Sequence, residues 1–296
     1  MKRQILLLGM HGQVGRELQR TLPLLGDMHA VGRADCDLAD AEAVGRLLQA
    51  VKPDIIVNAA AFTAVDRAET EIETAFAINA GLPEILAAHC AASGALLVHY
   101  STDYVFDGSK QGPYLESDST GPLSQYGLSK AAGETAIGQS GCRHLLLRTS
   151  WVYSVHGSNF ARTILNLARS RDALSIVANQ YGAPTSADTI AIASTHAIHD
   201  LIRGRADGGI YHLTAAGETS WHGYARFLIG QALQLGMPLQ LAPENISAIP
   251  ASEYPLPAKR PCNSRLSIQK FQNTFDLVLP DWRSGIIRML QETPTP

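Results

Sequence analysis

The sequence predicts an α/β protein whose core is a doubly wound, mostly parallel β-sheet. Short, continuously apolar runs alternate with longer segments of helical periodicity through the first half of the 296-residue chain. Apolar strands of this kind are typical of parallel sheets that helices cover on both faces. A glycine-rich turn joins the first apolar run to the first helical segment, as the first strand-to-helix junction of such a sheet requires.

The elements of the first half follow in order along the chain. The predicted strands cover residues 5–9, 29–32, 55–58, 95–102 and 143–150. The predicted helices cover residues 14–22, 41–51 and 70–93, the last with a bend at 81–83, and a segment that contains Tyr126. The sequence Lys52-Pro53-Asp54 ends the second helix, because proline cannot continue a helix and restricts the residue before it.

After about residue 150 the pattern changes, and the sequence predicts a smaller second lobe. Helices are predicted at 161–169, 187–203 and 282–290, strands at 174–177 and 210–213, and proline-rich loops at 243–261. We therefore assign residues 1–150 and about 174–213 to the sheet domain. Residues from about 151–173 and 214–296 are assigned to a discontinuous α/β lobe.

Composition excludes several classes of function. The chain is 46% hydrophobic and 17% charged, with a net charge of −3, so it has no general attraction to nucleic acid or an anionic membrane. Four widely spaced cysteines without a C-x-x-C pattern indicate reduced thiols, not a disulfide framework or a zinc site. Gly9 interrupts the N-terminal apolar run too early for a signal peptide, and no run looks long enough for a membrane helix. We expect a cytoplasmic protein without nucleic-acid or membrane partners.

The N-terminal turn has the pattern G-x-x-G-x-x-G between a strand and a helix. Glycines at such a junction allow a tight turn and bring the backbone close to a pyrophosphate, which then faces the positive end of the helix. The residues concerned are Gly9, Gly12, Gln13, Val14 and Gly15. The turn therefore predicts a Rossmann-type nucleotide site.

The end of the second strand lacks the acidic residue that would hold a ribose 2′-hydroxyl. Gly32 and Arg33 stand there, and an arginine suits a 2′-phosphate, which favours NADPH over NADH. Alternatively, Arg33 is solvated, or it stacks on adenine and tolerates both cofactors. Asp37 and Leu38 follow at a place that could reach the adenine edge, although Asp37 is equally explained as a helix cap.

Two further strands end in residues suited to a ligand site. Asn58 precedes a run of small residues at the end of the third strand, where backbone can approach a cofactor. Tyr100-Ser101-Thr102-Asp103 closes the fourth strand at its carboxyl end, where open α/β sheets place their ligands. Thr102 could share a hydrogen bond with a substrate carbonyl, and Asp103 could hold a polar group nearby, although Asp103 taken alone is better explained as a strand-end cap.

Tyr126 and Lys130 are four residues apart in LSQYGLSK, which places them on one face of a helix. A nearby ammonium favours phenolate, so we expect Lys130 to lower the pKa of Tyr126 and make it an acid for a developing alkoxide. The pattern also occurs by chance on solvated helix faces. The glycine turn and the Ser-Thr-Asp run upstream support the catalytic interpretation.

Together these motifs resemble the extended short-chain dehydrogenase/reductase family. The matching segments are GQVGRELQR, KPDIIVNAAAFTAVDRAE, HYSTDYVFDG, YGLSKAAGE, RTSWVY, NQYGAPTSA, TSWHGYA and RPCNSRL. The resemblance implies NAD(P)H-dependent reduction of a dTDP-linked keto sugar, with the smaller lobe binding the sugar nucleotide. It implies a catalytic trio of Thr102, Tyr126 and Lys130. The resemblance adds cofactor contacts at Ala61, Phe62, Thr63 and Tyr100, and substrate contacts at Asp103, Trp151, Trp221, Arg260 and Asn263.

The resemblance leaves several alternatives open. Some family members bind magnesium at a dimer contact, where Glu17 and Asp188 would match, but Asp188 is shorter than the usual Glu and both are better explained as solvated carboxylates, so no metal ligand is assigned. A nucleotide-sugar 4-epimerase or 4,6-dehydratase is a second enzyme class, although dehydratases typically carry Asp-Glu where this chain has Asp103-Tyr104. A regulatory subunit like the β subunit of methionine adenosyltransferase is a third interpretation. Trp221 could also be an ordinary core aromatic.

Overall fold

The computed structural model describes residues 2–293 of the chain. Its strands are β1 (Gln4–Leu8), β2 (Asp27–Val31), β3 (Ile55–Asn58), β4 (Leu96–Thr102), β5 (His144–Thr149), β6 (Val152–Tyr153), β7 (Leu174–Val177), β8 (Tyr181–Gly182), β9 (Thr185–Ser186), β10 (Gly209–His212), β11 (Thr219–Ser220) and β12 (Ile246–Ile249). Its α-helices are α1 (Gln13–Thr21), α2 (Ala41–Val51), α3 (Val65–Ala68), α4 (Ile72–Phe76), α5 (Leu82–Ser93), α6 (Gln125–Gln139), α7 (Phe160–Ala168), α8 (Ala187–Ile202), α9 (Trp221–Gln234), α10 (Gln269–Phe275) and α11 (Trp282–Glu292).

Within the described residues, the main sheet has six parallel strands in the order β10-β5-β4-β3-β1-β2. The central strands are buried along nearly their whole length, as their continuous apolar sequences predict. The strand order reverses between β1 and β3, and ligands of open α/β sheets bind outside the carboxyl ends of the strands at such a point. The predicted doubly wound fold is confirmed, and it directs attention to this edge.

Two layers of helices cover the sheet. Helices α1, α8 and α10 pack on one face through residues such as Leu18, Ile190 and Phe271. Helices α2, α5 and α6 pack on the other through residues such as Leu48, Leu86 and Ile137. By length and composition alone, the helical stretch Ile72–Ser93 could span a membrane; in this fold it supplies the buried α5 residues of that second layer.

A second core forms the smaller lobe beside the sheet. It joins Tyr153 after β5 to residues of α7, α9 and α11, of which Tyr224 and Trp282 are the largest. Short strand pairs, β7 with β12, β6 with β9 and β8 with β11, lie outside the main sheet.

The predicted division of the chain needs two corrections. Strand β7, assigned to the sheet domain with residues 174–213, pairs with β12, and its Leu174 and Ile176 pack against the lobe core. Helix α10, assigned to the lobe, instead buries Phe271 and Phe275 in the core under the main sheet. The rest of the predicted return is present, because α8 packs on the sheet and β10 pairs with β5.

The long helix predicted at 70–93 bends as expected, and its bend has a defined form. Between α4 and α5, residues Ala77–Gly81 make a π-helical turn that ends directly before Leu82 and Pro83. Such turns are rare and recur at functional sites. Asn79 in this turn is fully buried, so its amide must be satisfied by neighbouring groups.

Candidate functional site

The glycine-rich turn is held so tightly that side chains would not fit. Gly9 has a φ of +82°, and a Cβ placed on it would lie 2.6 Å from the backbone nitrogen of Ala60, at the end of β3. A Cβ on Gly15 would overlap the carbonyl oxygen of Gly9. The turn leads into α1, whose free N–H groups face the same edge of the sheet. The bare backbone and helix N-terminus therefore fit a dinucleotide pyrophosphate.

The tight turn gives a first testable prediction. We expect Gly15→Ala to cost about 1–3 kcal/mol of unfolding free energy and to weaken NADP⁺ binding, because Gly9 must move to admit the methyl group. Gly45→Ala in α2 is the matched control, since a Cβ there meets nothing within 4 Å and helical Ala is favoured by about 0.5–1 kcal/mol. Urea unfolding and calorimetric titration would measure both. Unchanged NADP⁺ affinity in Gly15→Ala would contradict the site.

At the end of β2, the side chain of His11, which the sequence pattern does not mark as a site residue, covers Gly32. The His11 ring lies over this glycine, and a Cβ on Gly32 would be 2.7 Å from its Nε2. Asp35 accepts the Gly32 N–H at 2.8 Å, and Arg33 is exposed beside them. The end of β2 therefore has the guanidinium of Arg33, the imidazole of His11 and the Asp35 carboxylate, which is bonded to the Gly32 backbone. The acidic residue typical of this position in Rossmann-type sites is replaced by Gly32.

Asp37 and Leu38 have local structural roles in addition to the predicted adenosine contact. Asp37 accepts the backbone N–H of Ala39 at 3.0 Å, which is a turn cap, while Asp40 caps α2. Leu38 is half-buried against the core under the second helix layer. Contact of either with adenosine stays a prediction.

Side-chain hydrogen bonds from Asn79 hold the loop after β3 in place. Its Oδ1 accepts the Phe62 N–H at 2.9 Å, and its Nδ2 donates to the Phe62 carbonyl at 3.0 Å and to the Ser129 hydroxyl at 3.0 Å. Asn79 thereby ties the predicted cofactor loop Ala61-Phe62-Thr63 to helix α6. A Cβ on Gly133 would overlap the Asn79 carbonyl, so the glycine of YGLSKAAGE permits this close packing.

Helix α6 places Tyr126 and Lys130 on its buried face. Ser124 caps the helix by accepting the Gly127 N–H, and both functional side chains are buried. Tyr126 packs with Phe62 and stands edge-on to Tyr104 with ring centres 5.5 Å apart. The Tyr–Lys pair predicted from sequence therefore adjoins the cofactor loop.

The electrostatics of Tyr126 differ from the expectation. Burial raises the pKa of Tyr126 to about 12; the Thr102 hydroxyl partly offsets this, and the nearby Asp103 carboxylate adds to it. The prediction that Lys130 lowers this pKa is wrong for this structure. The Lys130 ammonium instead donates to the Tyr100 carbonyl at 2.6 Å and lies 3.1 Å from His99 Nε2. At neutral pH, Tyr126 is therefore protonated and able to donate.

Thr102 and Asp103 lie beside Tyr126 at the carboxyl end of β4. The Thr102 hydroxyl donates to Asp103 Oδ1 at 3.0 Å and accepts the Tyr104 N–H. Burial raises the pKa of Asp103 to about 6, and its Oδ2 has no hydrogen-bond partner within the described residues. A buried carboxyl oxygen without a partner favours a polar ligand group at this point.

The two tryptophans predicted to contact substrate meet each other. The rings of Trp151, at the end of β5, and Trp221, at the start of α9, stack with centres 3.5 Å apart and planes 11° apart. Trp151 has a φ of +48°, and a Cβ on Gly182 would lie 2.7 Å from its ring. Trp221 also packs against Phe160, so it is part of the lobe core as well as the neighbour of Trp151.

Arg260 and Asn263 are held by different contacts. Arg260 pairs with Asp66 at 2.7 Å, which ties the lobe loops to the sheet domain, and its Nε is buried without a partner in the part of the chain that the structure describes. Asn263 donates to the carbonyls of Lys110 and Gly112 and accepts from Arg265. Its amide is thus engaged within the loops, so a substrate contact of Asn263 stays a prediction with a structural role beside it.

The carboxylates considered for magnesium are ion-paired. Glu17 pairs with Arg20 at 3.3 Å, and Asp188 pairs with Arg288 at 2.5 Å. Among residues 2–293, no group of three or more His, Cys, Asp or Glu side chains is placed to hold a metal. All four cysteines are free thiols.

The chain is similar to known proteins over nearly its whole length. A family model described as the RmlD substrate binding domain matches residues 2–294. The dTDP-4-dehydrorhamnose reductase of Escherichia coli K12 is 47% identical over 293 residues, covering 97% of each chain, and that of Burkholderia thailandensis is 45% identical, covering 96% of each.

Solved structures agree with these relatives. The structure of dTDP-4-dehydrorhamnose reductase from Bacillus anthracis in complex with NADP is 31% identical, with a TM-score of 0.90, covering 99% of this chain and 100% of that one. The family-model match at residues 2–294 spans the glycine turn, the end of β4 and helix α6. The chain therefore belongs to the RmlD family of dTDP-4-dehydrorhamnose reductases.

Proposed function

We propose that this chain reduces dTDP-4-dehydro-β-L-rhamnose to dTDP-β-L-rhamnose with NAD(P)H, in the synthesis of dTDP-rhamnose for cell-surface polysaccharide. The observation that carries the proposal is the grouping of Tyr126 and Thr102 at the carboxyl edge of the sheet, with Lys130 bound to the β4 backbone. Relatives at 45–47% identity carry the name of this reductase.

Each residue of the trio has a chemical task in this reaction. Bound reduced nicotinamide supplies the hydride that adds to C4 of the sugar. Tyr126, protonated at neutral pH because burial raises its pKa to about 12, gives its proton to the carbonyl oxygen. The Thr102 hydroxyl orients that oxygen. Lys130 would hold the nicotinamide ribose, and its hydrogen bond to the Tyr100 carbonyl fixes its position beside the end of β4.

The test of this function is a turnover assay on freshly prepared dTDP-4-keto-6-deoxyhexose, following the absorbance of the reduced nicotinamide and identifying the product by NMR. Sugar-dependent oxidation that yields the rhamnose nucleotide supports the proposal. Protein that arrives with tightly bound NAD and interconverts C4 epimers would favour an epimerase. Co-purification with a synthetase and no oxidation of the cofactor would favour a regulatory subunit.

The residues at the end of β2 also support a proposal on cofactor choice. Arg33 is exposed next to Gly32 and His11, where the adenosine ribose of a Rossmann-type cofactor lies. Both NADPH and NADH fit this position, and the Arg33 guanidinium favours the 2′-phosphate of NADPH. Asp35, whose carboxylate accepts the Gly32 N–H, is available at this place to accept the 2′-hydroxyl of NADH.

A variant of Arg33 tests this preference. We expect Arg33→Ala to weaken NADP⁺ binding by about 10- to 150-fold, because a charge-assisted hydrogen bond to phosphate contributes about 1.5–3 kcal/mol, and to leave NAD⁺ binding nearly unchanged. Calorimetric titration with both cofactors measures the difference. Arg171→Ala, at an exposed arginine after α7, is the control. An equal loss for NADP⁺ and NAD⁺ would refute the phosphate contact.

We place the enzyme in the cytoplasm, where its sugar nucleotide and cofactor are available. A homodimer is consistent with the family. Light scattering with and without magnesium, compared with a Glu17→Gln variant, would determine the oligomeric state and whether a metal contributes to it.

A further inference from the structure

A buried histidine that the reaction above does not use lies directly behind Lys130. His99, in the middle of β4, is 1% exposed. Its Nε2 lies 3.1 Å from Lys130 Nζ, and its Nδ1 lies 3.1 Å from the side-chain nitrogen of Asn58 at the end of β3. These three buried side chains form one continuous row that reaches the residues directly before the cofactor loop, where the Ala60 N–H donates to Asn58 Oδ1 at 3.2 Å.

The hydrogen atoms of this row can be arranged in two consistent ways. An ammonium at Lys130 only donates, so His99 Nε2 must accept, the ring proton must be on Nδ1, and Asn58 must turn its carbonyl toward that N–H. A neutral amine at Lys130 can accept from Nε2–H, after which Nδ1 accepts from the Asn58 amide nitrogen. The second arrangement matches the amide orientation in the structure, in which Asn58 Oδ1 bonds Ala60.

Protonation of His99 itself does not enter this scheme. Burial, and secondarily the Lys130 charge, hold the pKa of His99 well below its ordinary value, so the ring is neutral. Burial lowers the pKa of Lys130 to about 8, an effect that the Glu134 carboxylate on the same helix opposes. The ammonium therefore predominates below pH of about 8 and the amine above it, and both forms occur near neutral pH.

The other charged and titratable groups around Lys130 remain fixed partners of other residues. Glu134 is paired with Arg148 of β5 at 2.6 Å. Asp103 bonds Thr102, and Tyr126 keeps its proton because its pKa is about 12. None of these contacts gives Lys130 an acceptor, so its two acceptors among the described residues are the Tyr100 carbonyl and His99.

We propose that His99 is a positioning residue that couples the charge of Lys130 to the tautomer of a buried imidazole and to the orientation of the Asn58 amide. When Lys130 loses its charge, Nζ passes one proton to Nε2 and the Nδ1 proton is given up, so the row loses one proton in total. The Asn58 amide turns in the same step, so that its Oδ1 gains the hydrogen bond from the Ala60 N–H. The effect on turnover rests on the proposed reductase function; the tautomer change does not.

The unmodified protein provides the direct test. Ring ¹⁵N NMR of His99, assigned by loss of its signals in His99→Gln, should report the Nδ1–H tautomer below pH of about 8 and the Nε2–H tautomer above it, with a neutral ring throughout. In Lys130→Met the pH-dependent change should disappear. A single tautomer across this range in the parent protein would overturn the proposal, whatever substrate the enzyme turns over.

Two variants connect the row to catalysis. His99→Gln keeps an acceptor for Lys130, whereas His99→Leu has none, so the ammonium of Lys130 is less stable in the Leu variant. We expect the alkaline decline of kcat/KM to move by about one pH unit or more toward lower pH in His99→Leu and to stay close to the parent in His99→Gln. Equal pH profiles for the two variants would contradict the role of His99.

Controls separate this result from misfolding. Melting temperature and NADP⁺ affinity are measured for both variants, and if His99→Leu does not fold, the ¹⁵N measurement on the parent protein decides. If no keto-sugar reduction is found at all, the NMR result still tests the row on its own.

Discussion

Replacing Tyr126 with phenylalanine is expected to remove most turnover while leaving cofactor binding close to normal. The change deletes only the phenol oxygen, and the buried ring keeps its contacts with Phe62 and Tyr104. General-acid catalysis typically contributes about 10²–10⁴ in rate, so kcat should fall by that factor. The decline in reduced-nicotinamide absorbance measures turnover, and titration with NADP⁺ measures binding.

A second buried tyrosine provides the matched control. Tyr224 lies in the lobe core, and its hydroxyl has no hydrogen-bond partner among the described residues, so Tyr224→Phe makes the same chemical change away from the sheet edge. It should keep the parent kcat. If Tyr126→Phe retained turnover within a few-fold of the parent, another group would have to be the acid.

The second large effect is expected on the free energy of unfolding, at the buried ion pair between Glu134, one helical turn after Lys130 on α6, and Arg148 of β5. Glu134 and Arg148 are both buried and form a two-point contact with distances of 2.6 Å and 3.0 Å. Glu134→Leu leaves the Arg148 charge buried without a counterion, and such a change typically costs about 3–5 kcal/mol. We expect a loss of this size in urea unfolding.

Two comparisons make the result specific. The double variant Glu134→Leu/Arg148→Met removes both charges and should recover a large part of the loss, because buried pairs are costly chiefly when broken. The exposed helical pair Arg67–Glu71 has similar distances, yet Glu71→Gln should change stability little, because solvent screens it. A double variant no more stable than Glu134→Leu would show that packing, not charge, is decisive here.

Much of the sheet was predictable because its strands are buried on both faces and are therefore continuously apolar. The partner of a four-residue strand was not predictable. Leu174–Val177 has a pattern that suits either sheet, and only the packing of Leu174 and Ile176 against the lobe selects β12 as its partner. Helix α10 was misassigned for a related reason, since the direction of its two phenylalanines is set by tertiary contacts.

The functional site also has a part that could be predicted from the sequence and a part that could not. The glycine turn and the Tyr126–Lys130 spacing are local patterns, so the sequence predicted them and the structure brings them to one edge. Asn79 and the Glu134–Arg148 pair act across long sequence separations and carried no local signal. His99 did carry one, because a histidine within the apolar run ALLVHYST needs a buried partner. The sign of the Tyr126 pKa shift depends on burial, which the spacing alone does not reveal.

The way the chain passes between its two cores has a consequence for synthesis on the ribosome. The lobe core needs Tyr153 from the middle of the chain and Trp282, Ile286 and Leu290 from its last helix. The main sheet likewise gains its edge strand β10 and the two α10 phenylalanines only late in the sequence. Neither half can complete its interior until residues up to Leu290 have emerged, so nascent chains must remain incompletely folded, with apolar surface accessible to chaperones, until that point of translation.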